Sequence, residues 1–133
     1  MDTKARDIMS PEVLSANPDM TIEEVLKLLV NNRITGLPVV DAEGRALGVL
    51  SEFDIIQQIG DPASAAGEML QSKVQFSKKV VAIDQDASWN DVLKMLIDTK
   101  VRRLPVLDQA QKVVGVITRR DIMKVLYYRA KFQ

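Results

Sequence analysis

Two stretches of the 133-residue chain carry hydroxyl and carboxylate side chains at matched spacing. Gly48–Ile55 reads GVLSEFDI and Gly115–Ile122 reads GVITRRDI. In each, a glycine and two apolar residues lead to Ser51 or Thr118, and Asp54 or Asp121 follows three positions later. Two kinds of chemistry suit that spacing. A hydroxyl at a helix start caps an orphan backbone N–H, and an acid at the third helical position reaches back to the cap. The same groups suit a ligand. A helix start offers N–H groups and a positive dipole end to phosphate, and a carboxylate accepts both hydroxyls of a cis-diol.

The remaining composition narrows the chemistry. The chain has no Cys and no His, which removes disulfides, thiolate catalysis, His-based triads and the commonest metal ligands. No nucleophile–base pair assembles from the motifs, so neither a catalytic residue nor a metal site is assigned. Lys plus Arg equals Asp plus Glu at 18 each, and this balance argues against a nucleic-acid or anionic-membrane binder. No apolar run is long enough for a membrane span, and MDTKARDIMS lacks the apolar core of a signal peptide. The cytoplasm is the expected location.

The elements that position the two motifs repeat. Residues 21–56 lie over 88–123 without a gap, with twelve identities in 36 positions. In each copy, apolar residues at i, i+3, i+4 and i+7 (Ile22, Val25, Leu26, Leu29; Trp89, Val92, Leu93, Leu96) predict a helix. Thr21 and Glu24 form a capping-box pair at its start. GLPVVD and RLPVLD, where Pro blocks the helix, predict strands. DAEG and DQAQ read as turns, ALGVL and VVGVI as second strands of hairpins, and Ser51 and Thr118 as starts of second helices. Upstream, EVLSA and KVVAI predict short strands. The unit is β-α-β-β-α, an α+β arrangement in two pseudo-symmetric copies packed through their sheets, with two equivalent clefts between the copies. Repeat 1 spans 1–60 and repeat 2 spans 61–133, with the loop-like GDPASAAG at 60–67 in the linker. ARDIM (5–9) also pairs with AGEML (66–70) at a shorter offset, which would put about six extra residues into the second copy.

Through ARDIM, TIEEVLKLLVNNRITGLPVVD, GRALGVLSEFDII, KVRRLPVLD and VVGVITRRDIMKVL, in tandem over roughly residues 4–127, the chain resembles a pair of CBS domains, a Bateman module. The resemblance implies a non-catalytic regulatory sensor. Its ligand would be AMP, ADP, ATP or S-adenosylmethionine, a regulatory ligand and not an obligatory cofactor. It also implies homodimers, often discs of four repeats, and a separate regulated protein. It assigns Asp54 and Asp121 to ribose hydroxyls and Ser51 and Thr118 to phosphate. Ile34 and Thr35, and Val101 and Arg102, would line the adenine or phosphate side, with contributions from the strands around Ser15–Asn17 and Ala82–Asp84.

Repeat 2 carries Arg102, Arg103, Arg119 and Arg120 where repeat 1 has Thr35, Gly36, Glu52 and Phe53. If Arg102 and Arg120 face a cleft, that cleft is the stronger phosphate site; a solvated basic face is the alternative. Trp89, on the apolar stripe, reads as core or dimer interface. A structural adaptor with vestigial sites, acting through protein contacts, stays open as a second function.

Overall fold

The computed structural model describes residues 2–11, 13–60 and 66–132. Residues 61–65 of the expected GDPASAAG loop, Glu12 of EVLSA and Gln133 of the tail lie outside the described residues. In chain order the elements are α1 (Ala5–Ile8), α2 (Ile22–Asn32), β1 (Gly36–Val40), β2 (Ala46–Ser51), α3 (Glu52–Ile59), α4 (Ala66–Met69), β3 (Ile83–Asp84), α5 (Trp89–Thr99), β4 (Arg103–Leu107), β5 (Val113–Thr118) and α6 (Arg119–Phe132). No helix among the described residues is long and apolar enough to cross a membrane.

Each repeat folds as its pattern predicts. Thr21 caps α2 in a reciprocal box: its Oγ1 accepts from the Glu24 N–H at 3.2 Å, and Glu24 Oε1 accepts from the Thr21 N–H at 3.3 Å. α2 and α5 both end on a left-handed residue, Arg33 at φ 53° and Lys100 at φ 57°. β1 pairs antiparallel with β2, and β4 with β5. Both hairpins shift register at equivalent places, between Val39 and Val40 and between Val106 and Leu107. In the turns, Asp41 Oδ1 accepts from the Glu43 and Arg45 N–H groups, and Asp108 Oδ1 from those of Ala110 and Lys112.

The upstream strands are shorter than expected. EVLSA contributes one parallel bridge, Ala16 to Val39, and KVVAI contributes Ile83–Asp84, parallel to β4. Proline explains the truncation. Ala16 donates to the Pro38 carbonyl and accepts from the Val40 N–H. The next bond of a parallel ladder needs an N–H from Pro38, which has none. Pro105 occupies the same register beside β3.

Packing does not divide the chain where the repeat does. One compact unit runs from Leu14 to Val80; the other joins the residues up to Val13 with those from Val81 onward. The division at 1–60 and 61–133 follows the repeat alone. Each lead segment instead completes the core of the other repeat. Ala5 and Ile8 are buried with Trp89, Val92, Leu104 and Ile117, and Met69 and Val74 with Ile22, Val25, Leu37 and Leu50. Removing such side chains from water contributes about 1.5–3 kcal/mol for each large one.

Backbone bonds fix the equivalence of the two leads. Ser10 exchanges two bonds with Val116 (2.8 and 3.0 Å), and Ser77 exchanges two with Val49 (2.9 and 3.0 Å). Trp89 N–H donates to Thr3, and Ile22 N–H to Ser72, both at 2.9 Å. Thr3–Ser10 thus corresponds to Ser72–Ser77. The pairing of ARDIM with AGEML is corrected by this: both make a single helical turn, but α1 lies inside the docking stretch and α4 precedes it. The stretch 72–77 is two residues shorter than 3–10 and crosses extended where the first lead coils into α1.

The motif glycines serve this crossing. A Cβ on Gly48 would overlap the Ser77 carbonyl oxygen, and one on Gly115 would overlap the Met9 side chain.

Candidate functional site

Both hydroxyl–aspartate motifs sit where β2 runs into α3 and β5 into α6, and both are half-buried. Ser51 N–H donates to Asp54 Oδ2 at 2.8 Å, Ser51 Oγ–H donates to the same oxygen at 3.0 Å, and Asp54 N–H donates to Ser51 Oγ at 3.3 Å. Thr118 and Asp121 repeat the three bonds at 2.8, 3.0 and 3.3 Å. The capping chemistry is therefore realised in both copies. It engages one carboxylate oxygen in each and leaves Oδ1 able to accept from a ligand. It also commits the hydroxyl proton, so Ser51 and Thr118 meet a phosphate as donors only if the box opens.

Asp54 lines a recess of about 490 Å³ with Gln57 and Gln58 of α3 and with Met69, Ser72, Lys73, Gln75, Phe76 and Ser77 of the lead segment. Gln58 holds this wall at two points. Its Nε2 donates to the Lys73 carbonyl and its Oε1 accepts from the Gln75 N–H, both at 3.0 Å.

The other expected residues lie elsewhere. Ile34 and Thr35 border a separate, mostly apolar groove of about 460 Å³ between the end of α2 and α3, together with Glu52 and Ile55. The Thr35 carbonyl accepts from the Glu52 N–H at 2.9 Å. Within this unit, Asp54 and the Ile34–Thr35 pair thus open into different hollows. Ser15–Asn17 border a third recess with Asp41, whose carboxyl is held below the usual carboxylate range chiefly by the Arg45 N–H donating to it. Ala82–Asp84 border a recess with Asp91, Lys94 and Asp98. Val101 packs against the core of its own unit, the one that holds Trp89, while Arg102 and Arg120 are exposed. Arg119 donates to the Lys100 carbonyl at 2.9 Å, stabilising the carbonyl end of α5. Among the described residues no three carboxylates converge to hold a metal ion.

The CBS-domain family model matches residues 5–61 and again 72–128. The chain belongs to the CBS-domain family. The second matched range begins after α4, and its 67-residue offset agrees with the Ser10 and Ser77 pairings, while Thr3 and Ser72 at the start of the leads stand 69 apart. Among curated relatives, the inosine-5'-monophosphate dehydrogenase of Methanocaldococcus jannaschii is 30% identical over 121 residues, covering 91% of this chain and 23% of the relative. CBSX1, a chloroplastic CBS domain-containing protein of Arabidopsis thaliana, is 31% identical over 134 residues, covering 80% and 56%. The chain spans only these fractions of the relatives' lengths. Among solved structures, CBSX2 of Arabidopsis thaliana in complex with AMP superposes with a TM-score of 0.80 at 26% identity, covering 96% of this chain and 98% of that one.

What reading along the sequence missed in the CBS pair is the wall opposite Asp54. Residues 69–77 read as linker because their contacts are to residues roughly 15–50 positions earlier, including Gln58, Val49 and Ile22. The signal available was Gly48: a glycine inside a strand marks a close backbone approach, and the approaching chain is Ser77.

Proposed function

We propose that the chain is a regulatory CBS pair that senses an adenosine-containing ligand and acts by binding, not catalysis. The observation that carries this reading is the duplicated motif, with Asp54 and Asp121 each keeping one carboxylate oxygen available in the same capped geometry. AMP bound to CBSX2, a CBS-pair protein of matching length, supports the ligand class. The assigned ligand residues are Asp54 and Asp121 for ribose hydroxyls, with Ser51, Thr118, Ile34, Thr35, Val101, Arg102 and Arg120 as further candidates. A second copy of the chain and a separate regulated protein are the expected partners. The copy is supported by exposed apolar side chains that recur at the repeat offset, Val30, Ile56 and Ile59 on one repeat and Ile97, Met123 and Leu126 on the other.

The test is calorimetric titration of AMP, ADP, ATP and S-adenosylmethionine into wild type, Asp54→Asn and Asp121→Asn. Asparagine keeps an oxygen for the cap and removes the charge, so binding separates from folding. Losing a charge-assisted bond, about 1.5–3 kcal/mol, weakens each site roughly 10- to 150-fold. Unchanged affinity in both variants overturns the site assignment. A chain that binds none of the four ligands leaves the adaptor reading.

A further inference from the structure

The Asp54 recess contains donors and acceptors suited to a nucleoside, but most donors of its motif, all but the Phe53 N–H at the start of α3, are already engaged. Ser51 N–H and Oγ–H both go to Asp54 Oδ2, Asp54 N–H goes to Ser51 Oγ, and Glu52 N–H goes to the Thr35 carbonyl. Four donors at the start of α3 are thus spoken for. Asp54 itself is an anion and repels a phosphate. Among the described residues, Lys73 is the single cation in the recess lining, and the other polar residues there apart from Asp54, three glutamines and two serines, are neutral.

We propose that Lys73 is the phosphate contact of the Asp54 recess, so that this recess selects a phosphorylated adenosine compound over a sulfonium one. The proposal rests on the adenosine-sensing reading above and names the ligand class for one of its two sites. Lys73 is placed for the task by its backbone: it bridges Thr21, and its carbonyl is held by Gln58 Nε2 at 3.0 Å. Only the side chain is free to swing. Its Nζ pairs with Asp19 Oδ1 at 3.0 Å, with the two side chains 70% and 83% exposed, and an ion pair so hydrated exchanges at little cost for a doubly charged phosphate. Lys4 holds the corresponding place on the other repeat, against Asp86 at 4.0 Å, but there Arg6 takes the same carboxylate as well. A docking role for the Lys73–Asp19 pair is the competing account, and it makes a different prediction.

The experiment isolates the recess by using the full chain carrying Asp121→Asn, then compares AMP, adenosine and S-adenosylmethionine by calorimetry with and without Lys73→Ala. Expected is an AMP affinity at least tenfold weaker in Lys73→Ala, adenosine affinity within twofold, and recovery of AMP binding in Lys73→Arg. Equal AMP affinity in the two chains overturns the assignment. So does a parallel loss for AMP and adenosine, which is what a docking role gives. If wild type binds AMP but the Asp121→Asn chain does not, this inference falls while adenosine sensing stands at the other motif. If wild type binds no adenosine compound, the functional reading itself falls.

Discussion

The two repeats agree in backbone and disagree in what the lead segment brings to them. The caps at Ser51 and Thr118 match bond for bond, α2 and α5 end on the same left-handed conformation, and the hairpins shift register at the same place. Around the second repeat, the lead coils into α1, buries Ala5 and Ile8, and is tied to α6 by Arg129 donating to Thr3. Around the first, the lead runs extended, and Gln58 clamps it; the residue equivalent to Gln58 in α6 is Val125, which packs against the core. Repetition has preserved the chemistry that shapes the chain locally, and the wall facing Asp54 comes from a segment elsewhere in the sequence. Unequal sites follow from the leads as much as from Glu52-Phe53 against Arg119-Arg120.

The largest expected break in the symmetry is at the motif glycines. Overpacking a fitted site costs about 1–3 kcal/mol. A methyl at Gly48 meets a backbone oxygen fixed in the Val49–Ser77 pairing, whereas one at Gly115 meets the flexible Met9 side chain. Gly48→Ala is expected near the upper end and Gly115→Ala near the lower, as read from urea denaturation. Equal losses would show that the two crossings are equally rigid.

Next in size is the clamp. Gln58→Val installs the residue of the other repeat and removes two hydrogen bonds worth about 1 kcal/mol each. A loss of about 1–2 kcal/mol is expected, with faster amide exchange at Gln75. AMP affinity at Asp54 is expected to fall while that at Asp121 holds. An unchanged exchange rate at Gln75 would mean that the wall stands without Gln58.

The caps should instead behave alike. Ser51→Ala and Thr118→Ala each remove a side-chain cap, at a cost of about 1 kcal/mol. Their bond lengths coincide, so losses differing by more than about half that value would reveal an unequal contribution from the neighbouring residues.

The part of this that was legible in the sequence is the part encoded locally. Thr21 with Glu24, Pro after the helix, the Asp-led turns and the 67-residue offset each report on neighbours within a few positions, and the folded repeats follow them. Trp89, on the apolar stripe, is buried in the core. The exchange of leads was not legible, because ARDIM and AGEML have similar composition and both form a turn. Only the long-range bonds of Ser10, Thr3, Ser72 and Ser77 distinguish their places. The Asp54 recess went unread for the same reason: Lys73 and Gln75 carry no local pattern, and their place depends on Gln58 and Thr21.

The smallest effect tests the backbone agreement most cleanly. Gly44 and Gln111 hold equivalent turn positions at φ 85° and φ 68°. The left-handed region costs a residue with a Cβ about 1 kcal/mol, and glycine gives back part of that through its freer unfolded chain. Gln111→Gly is therefore expected to stabilise the protein by about 0.5 kcal/mol. Among the described residues no atom lies within 4 Å of a Cβ built on Gly44, so Gly44→Gln has only the backbone to strain and is expected to destabilise by the same amount. Urea midpoints should shift in opposite directions and by equal steps. If Gly44→Gln costs several times what Gln111→Gly gains, the two turns differ in more than φ, and the agreement between repeats stops at the hairpin tip.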